Sequence, residues 1–194
     1  MEKHISFPII ENIKVGSVFC KEADINHRLS AFPEHATVKS HLVKRHHNFT
    51  VVRGFHVYTI FDGGYVNITG IKYMSDIDFA CKVICKLLKV KRKYLRTCNL
   101  TIHTITASGS IKRELDIFPT VQFFSTYKSN KIKSTHYNRE RFPAIIIRTI
   151  YGTILLYSKK YIFVGCNSKK QLSDLFSLLN DCVTVIQSNV LSAS

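Results

Sequence analysis

The chain has few acidic residues, no tryptophan and no long hydrophobic run. Only 13 of its 194 residues are Asp or Glu, against 28 Lys and Arg, which gives a formal net charge of +15. No apolar run reaches the roughly 20 residues of a membrane span, and the N-terminal residues lack the apolar core of a secretory signal. We therefore expect no secretion and no membrane partner. The charge favours a polyanion such as nucleic acid over a basic protein that merely stays soluble.

Sequence motifs for catalysis and metal binding are also missing. The six cysteines form no C-x-x-C pair, and Cys81 and Cys85 have no matching His or Cys pair at metal spacing. We expect buried, reduced thiols, which are typical of the cytosol or nucleus. The acidic residues are scattered, and no G-x-S-x-G, phosphate-binding-loop or H-E-x-x-H motif occurs. The sequence thus predicts no enzyme, no cofactor and no metal.

The stretch from Phe142 to Cys166 organises the chain. Its runs FPAIIIRT, GTILLY and YIFVG are separated by turn residues, which predicts three antiparallel strands. Apolar residues then recur at helical spacing, with Ser168 as N-cap and Gln171 three residues later. This unit is three strands followed by an amphipathic helix.

The same unit occurs earlier, between Phe49 and Leu88. FTVVRG, HVYTIF and YVNITG parallel the three later runs, and Ser75 is the predicted cap of the following helix. A strand-rich segment precedes each unit. We interpret the chain as a tandem repeat of roughly 90 residues, with halves at residues 8–90 and 91–187 fused into one domain.

Further elements are predicted in each half. In the first half these are a strand with a bulge near Gly16, a short helix, a second strand and a basic turn: Pro8–Val18, Lys21–Phe32, Ala36–Val43 and Lys44–Asn48. In the second half they are a strand, a short helix capped by Ser110, an aromatic strand and a basic loop: Thr97–Ala107, Ser110–Phe118, Val121–Tyr127 and Lys128–Glu140. Lys159 and Lys160 are expected in a turn, and Gln187–Ser194 are expected to fray.

A functional face follows from this arrangement. Helices that are apolar on one side must cover one face of the sheet, which leaves aromatic and aliphatic side chains on the other face with basic residues at its rim. A large apolar face on a soluble protein needs a partner. An apolar, basic-rimmed face suits the minor groove of DNA, where apolar wedges unstack bases and cations hold phosphates.

At this point the residues resemble a known family. From about Ile9 to Val185 the tandem repeat is similar to the saddle domain of the TATA-binding protein (TBP) family, and the similarity is best over Phe142–Leu179. The family motifs F-P/A-x-x-I-x-R, L-I-F-x-S-G-K, Q-N-I-V and V-x-T-G-A-K are echoed in order. The resemblance implies an α/β (α+β), TBP-like saddle. It would have two pseudo-symmetric repeats, one curved antiparallel sheet of about ten strands, and four helices on the convex face.

The resemblance also implies roles for individual residues. The kinking wedges would be Phe49, Phe61, Phe142 and Tyr157. The centre of the groove would be read by Asn12, Asn99, Thr69 and Val164. Phosphates would be held by Arg53, Arg148, Lys159 and Lys160.

The implied function is that of a TBP-like transcription factor. It would bend A·T-rich double-stranded DNA and recruit initiation factors or RNA polymerase-associated proteins through its helices, in the nucleus. Several positions depart from the family: Lys14 and Asn67 make the groove floor more polar, Tyr65 and Tyr161 replace phosphate-flanking lysines, and Val164 and Tyr157 replace a threonine and a phenylalanine. This divergence, with the absence of an N-terminal extension, suggests a large DNA virus or another divergent source, and an infected cell's nucleus or cytoplasm.

Three alternatives stay open. Phe49 and Phe142 could be core residues of a buried strand face. The saddle could be a protein-interaction adaptor in a transcription complex that has lost DNA bending, which Lys14, Asn67, Val164 and Tyr157 favour. Finally, the same aromatic residues could stack the bases of single strands without sequence preference.

Overall fold

The computed structural model describes residues 4–19, 42–46, 49–90 and 100–192. The chain divides into two compact units. Unit 1 comprises Met1–Glu11 and Thr104–Ser194, and unit 2 comprises Asn12–His103. The predicted helix at Lys21–Phe32 and the predicted site residue Asn99 lie outside the described residues.

Unit 2 is an antiparallel sheet with one helix. Its strands are β1 (Ile9–Val18), β2 (Leu42–His46), β3 (Phe49–Arg53), β4 (Val57–Phe61) and β5 (Tyr65–Ile71), in the spatial order β2-β3-β4-β5-β1. Only the part of β1 from Asn12 onward belongs to unit 2. Helix α1 (Asp76–Leu87) packs against β5. The predicted three-strand meander and its helix are therefore confirmed.

Unit 1 has the same strand order. Its strands are β6 (Thr101–Ser110), β7 (Ile132–Asn138), β8 (Phe142–Thr149), β9 (Thr153–Leu156) and β10 (Lys160–Cys166), in the spatial order β7-β8-β9-β10-β6. Only the part of β6 from Thr104 onward belongs to unit 1. Helix α3 (Lys169–Ser192) packs against β10, and α2 (Ile117–Thr126) packs against α3 and β7.

Helices α1 and α3 begin where the sequence places caps, with one difference. The Gln171 amide donates to Ser168 Oγ (3.2 Å), and the Asn167 amide donates to Gln171 Oε1 (3.0 Å), which resembles a capping box. Ser75 precedes α1 as predicted but makes no side-chain bond to the helix backbone. Its hydroxyl instead donates to Asp76 Oδ1 (3.2 Å).

The same glycine irregularity interrupts one strand in each unit. Gly70 and Gly165 have φ angles of 87° and 88°, a left-handed conformation that side chains disfavour. The register of β5 against β1 and of β10 against β6 shifts at these glycines, as in a β-bulge. The bulge predicted near Gly16 is thus wrong in place, because the shift lies between Ile13 and Val15.

Alternate strand residues face the helices and form the two cores. In unit 2 these include Val52, Tyr58, Ile60, Val66 and Ile68, all at most 1% exposed. In unit 1 they include Ile145, Ile147, Leu156, Tyr161 and Phe163, all fully buried. The described cysteines Cys81, Cys85, Cys166 and Cys182 are buried, as predicted.

Four local predictions in unit 1 are wrong. Ser110–Phe118 is not a helix and Val121–Tyr127 is not a strand, because α2 spans Ile117–Thr126. Asp116 is its N-cap, accepting from the Phe118 amide (3.1 Å), and Pro119 lies in the first turn, where a proline is tolerated. The predicted loop Lys128–Glu140 contains β7, and the predicted frayed end from Gln187 belongs to α3.

Two predicted turns are strands in part. Residues 44–46 of the predicted basic turn Lys44–Asn48 pair with β3 in a regular register. Lys160 likewise begins β10, so only Lys159 lies in the turn. Strand β6 (Thr101–Ser110) runs beyond the predicted end at Ala107, and the predicted start at Thr97 lies outside the described residues. In the described part of the chain, no helix is long and apolar enough to cross a membrane, and no group of His, Cys, Asp or Glu could hold a metal.

Candidate nucleic-acid interface

The strand residues that point away from the helices stay partly exposed in both units. In unit 2 they include Phe49, Val51, Thr59, Phe61 and Asn67, all of intermediate exposure between buried neighbours. In unit 1 they include Phe142, Ile146, Leu155, Ile162 and Val164. We call this side of each unit its open face. It combines apolar side chains with exposed cations, as the sequence analysis expects.

Two aromatic residues lie together on each open face. Phe49 and Phe61 are directly cross-strand on β3 and β4, with ring centroids 5.9 Å apart. Phe142 and Tyr157 lie 6.2 Å apart in an edge-to-face arrangement. All four rings are half-buried, so neither the buried-core interpretation nor a fully exposed wedge describes them.

The two pairs are not built at the same register. Arg53 pairs with Val57, which pairs with Thr69, the residue before the bulge glycine of unit 2. Arg148 pairs with Thr153, which pairs with Val164, the residue before the bulge glycine of unit 1. The two arginines are therefore equivalent. Phe49 precedes its arginine by four positions, whereas Phe142 precedes Arg148 by six. The equivalent of Phe49 is therefore Ala144. The parallel between FTVVRG and FPAIIIRT holds for the strand but not for its first aromatic residue.

Thr69 and Val164 occupy equivalent positions next to the bulge glycines. Asn12, predicted to read the groove centre, accepts a hydrogen bond from the Gly70 amide through Oδ1 (2.7 Å). In unit 1 the Gly165 amide donates to Thr104 Oγ1 (3.1 Å). Thr104 is thus the structural counterpart of Asn12, and the sequence analysis missed it. The shared spacing of I-E-N-I and I-H-T-I before the core isoleucines could have revealed it.

The predicted phosphate-holding cations are all exposed, in different surroundings. Lys159 forms an ion pair with Glu114 (3.1 Å). The ammonium group of Lys160 lies 4.9 Å from the centre of the Tyr157 ring, a cation–π contact. Arg53 and Arg148 lie at the ends of β3 and β8. The structure thus places a cation next to one aromatic residue of the unit 1 pair.

The departures from the family pattern are distributed unevenly. Tyr161 is fully buried, and its hydroxyl donates to the Ser6 carbonyl (2.6 Å), so it cannot flank a phosphate. Lys160, not Tyr161, occupies the place that Tyr65 has in unit 2, five residues before the bulge glycine. Burial raises the pKa of the Tyr161 hydroxyl, which stays protonated at neutral pH.

Tyr65 takes part in a feature that the sequence did not reveal. Its ring centroid lies 6.2 Å from that of Phe61 and 6.2 Å from that of His103, and its hydroxyl is hydrogen-bonded to His103 Nε2. The two polar tips meet over Gly16, where an added Cβ would collide with both. No sequence motif marks this contact, because its residues come from three different strands.

Comparison with known proteins identifies the fold. No family model matches the chain, and no curated protein matches it either. Among solved structures, a TBP from Methanococcus jannaschii matches with a TM-score of 0.65 and 18% sequence identity, covering 92% of this chain and 98% of that chain. The chain therefore has a divergent TBP-like fold, and the predicted α/β (α+β) fold class is confirmed.

Proposed function

We propose that the chain is a TBP-like transcription factor that binds duplex DNA in the minor groove through the open faces of its two units. The observation that carries this proposal is the pair of half-buried aromatic rings on each open face, with exposed arginines on the same strands. Apolar side chains inserted between base steps unstack them and bend the duplex, while cations hold the adjacent phosphates. The net charge of +15 favours a polyanionic partner.

The proposed roles follow the geometry. Phe49, Phe61, Phe142 and Tyr157 unstack base steps, and Tyr157 is additionally held by the Lys160 ammonium. Thr69 and Val164 face the groove centre, and Asn12 acts by fixing the bulge that places Thr69. Arg53, Arg148, Lys159 and Lys160 bind phosphates.

We also propose a sequence preference, protein partners and a location in the cell. The apolar side chains of the open faces favour A·T pairs, since G·C pairs present an amino group in the minor groove that needs an acceptor. The helices, which lie on the faces opposite the open ones, are the proposed contact for initiation factors or polymerase-associated proteins. Such a protein acts where the transcribed DNA is, in the nucleus or in an infected cell's nucleus or cytoplasm. No catalytic step is proposed.

A protein-interaction adaptor is the second candidate. Three residues favour it: Asn67 and Lys14 bring polar groups to the open face of unit 2, and the Tyr157 hydroxyl would cost on the order of 1–3 kcal/mol if inserted without a partner. In an adaptor, the aromatic residues would bind a protein surface and the duplex would stay straight.

Fluorescence resonance energy transfer across end-labelled duplexes tests the two candidates. Bending and affinity are measured on A·T-rich and G·C-rich duplexes over a salt series, for the wild type and for Phe61→Ala and Phe142→Ala. Strong bending with an A·T preference, lost in both variants, is expected. Phe118→Ala is the matched control, because Phe118 is 66% exposed and lies on α2 instead of on an open-face strand.

Each result separates the candidates. Salt-sensitive binding without bending would contradict the proposal and favour the adaptor. Arg148→Ala is expected to weaken all duplexes equally and to reduce the salt slope by about one counterion. A sequence-dependent loss in that variant would mean that Arg148 reads bases instead of a phosphate.

A further inference from the structure

A row of four rings crosses the open face of unit 2. It runs from Phe49 on β3 to Phe61 on β4, Tyr65 at the start of β5, and His103 near the start of β6. Successive centroids are 5.9, 6.2 and 6.2 Å apart. Each neighbouring pair is tilted, by 46°, 52° and 53°. The rings therefore do not stack on one another, and they keep partly exposed surfaces.

A hydrogen bond and a glycine hold the Tyr65–His103 end of this row in place. Tyr65 and His103 are joined through the phenol hydroxyl and Nε2. They can approach because Gly16 lies beneath them without a side chain. Fixing both rings before a ligand arrives reduces the side-chain entropy that binding would otherwise cost.

Unit 1 has no such row at the equivalent positions. Lys160 stands in the place of Tyr65, and Ser108 stands in the place of Gly16, where its hydroxyl donates to Glu11 Oε1 (2.6 Å). Ala144 stands in the place of Phe49, and only Tyr157, in the place of Phe61, carries an aromatic ring among the counterparts of Phe49, Phe61 and Tyr65. The aromatic row is a property of unit 2 and is not required by the fold.

We propose that this row is a stacking platform for unpaired nucleobases, so that unit 2 binds a single strand of nucleic acid. Flat aromatic rings on a sheet take up successive bases of any sequence, while cations track the backbone. The net positive charge of the chain provides such cations, and Lys14 lies two residues before Gly16 on the same strand, β1. A duplex hides the flat surfaces of its bases, so duplex binding does not use Tyr65 and His103.

Fluorescence anisotropy with a labelled oligothymidylate of about 12 nucleotides, within the site sizes usual for such platforms, tests the proposal. Tyr65→Ala and His103→Ala are each expected to weaken binding by about tenfold at an unchanged salt slope, since stacking releases no counterions. Tyr65→Phe keeps the ring and is expected to retain most of the affinity.

The same variants measured on duplex bending separate this proposal from the proposed function. Tyr65→Ala and His103→Ala are expected to bend duplex DNA like the wild type, whereas Phe142→Ala is expected to lose bending and keep oligothymidylate binding. Wild-type oligothymidylate binding by both unit 2 variants would overturn the platform. An equal loss of single-strand and duplex binding would also overturn it, because the row would then belong to the duplex face.

Gly16→Ala provides a variant that removes neither a ring nor a charge. Its methyl group displaces the tips of Tyr65 and His103, so oligothymidylate affinity is expected to fall at an unchanged salt slope. Circular dichroism and the unfolding midpoint establish that each variant is folded. Normal affinity in a folded Gly16→Ala would overturn the inference that the platform is held in place in advance.

Discussion

The two units share a strand order and a glycine bulge, but they differ in where a tyrosine ring packs against a glycine. In unit 1, the fully buried Tyr161 packs its ring against Gly109, and its hydroxyl donates to the Ser6 carbonyl. In unit 2, the ring that crosses a glycine is Tyr65, which meets the exposed His103 over Gly16. A glycine makes room for a tyrosine in both units, on the core side in one and on the open face in the other.

The difference extends to the neighbouring segment. Residues before β1 belong to unit 1, where Ile5 bridges to Ile111 and the Ser6 amide donates to the Ser110 carbonyl (2.9 Å). Phe7 stacks on Phe176 with centroids 4.9 Å apart. The tyrosine–glycine contact of unit 1 thus holds the segment before β1 in place, which predicts a role in stability. Unit 2 leaves its own contact accessible, which predicts a role in binding.

The largest expected effect is that of Gly109→Ala. The added methyl group collides with the Tyr161 ring, which is enclosed and cannot swing away, so a loss of about 3 kcal/mol in the free energy of unfolding is expected. Gly16→Ala meets exposed side-chain tips that can rotate, and it is expected to cost less than about 1 kcal/mol. Urea unfolding measures both.

Gly63→Ala is the matched control for these two variants. An added Cβ at Gly63 meets nothing within 4 Å, so the substitution is expected to be neutral or slightly stabilising through the unfolded chain. If Gly16→Ala and Gly109→Ala cost the same, the contrast between an enclosed and an accessible contact would be wrong.

Gly70→Ala and Gly165→Ala test the bulge glycines, a feature in which the two units are expected to agree. Both glycines have φ near +88°, where an alanine costs about 1–2 kcal/mol. Space is not limiting, since the nearest atom to an added Cβ is 3.8 Å away at Gly70 and beyond 4 Å at Gly165. Equal shifts of the urea midpoint are expected, and a clearly larger cost at one site would mean that the two bulges are not equivalent.

The sequence predicted those parts of the fold in which periodicity and turn residues agree. The meanders after Phe49 and Phe142 and the helices after Ser75 and Ser168 are found as predicted, because alternation and helical spacing are strong there. The sequence misplaces helix α2, because Pro119 indicates the end of a helix there, although a proline is also tolerated in the first turn. Strand β7 was missed because its alternation is polar: as the edge strand of unit 1, it leaves Lys133, Ser134 and His136 exposed.

The candidate site was predictable as a set of residue types but not as a geometry. Motif matching placed Arg53 and Arg148 at equivalent positions, because each lies at a fixed register from a bulge glycine. Aligning FTVVR with FPAIIIR at their first residue hides the different register of Phe49 and Phe142, because the two segments differ by two residues before the arginine. Nor could motif matching find the contact between Tyr65 and His103, since a cross-strand contact depends on strand order.

A smaller effect is expected at the residues that cap the two bulges. Asn12→Ala leaves the Gly70 amide without its acceptor, and Thr104→Val does the same to Gly165. Each is expected to cost about 1 kcal/mol, the usual net value of such a hydrogen bond. Thermal or urea unfolding measures the cost. If Asn12→Ala instead abolishes duplex binding at unchanged stability, Asn12 contacts DNA directly and does not act through the bulge.

The smallest expected effect is a pH dependence that belongs to unit 2. His56 is 7% exposed, its Nδ1 lies 3.5 Å from the Tyr58 hydroxyl, and its ring lies 6.3 Å from that of Phe79. Burial lowers the pKa of His56 below its ordinary value of 6.5, against the opposing effect of Asp76. The unfolded chain then takes up a proton more readily than the folded one. This contribution to stability is therefore complete above about pH 6.5 and is lost as pH falls through the folded-state pKa.

Comparison of urea midpoints at pH 7 and pH 5 tests this, with His56→Gln as the variant that cannot titrate. The wild type is expected to lose more stability than the variant over that interval. His136→Gln, at an exposed histidine of β7 in unit 1, is the matched control and should keep the wild-type dependence. In unit 1, burial raises the pKa of the Cys166 thiol to about 11, so this group does not titrate between pH 5 and pH 7. If His56→Gln loses as much stability as the wild type on acidification, the acid sensitivity does not arise from this side chain, and the units do not differ in this respect.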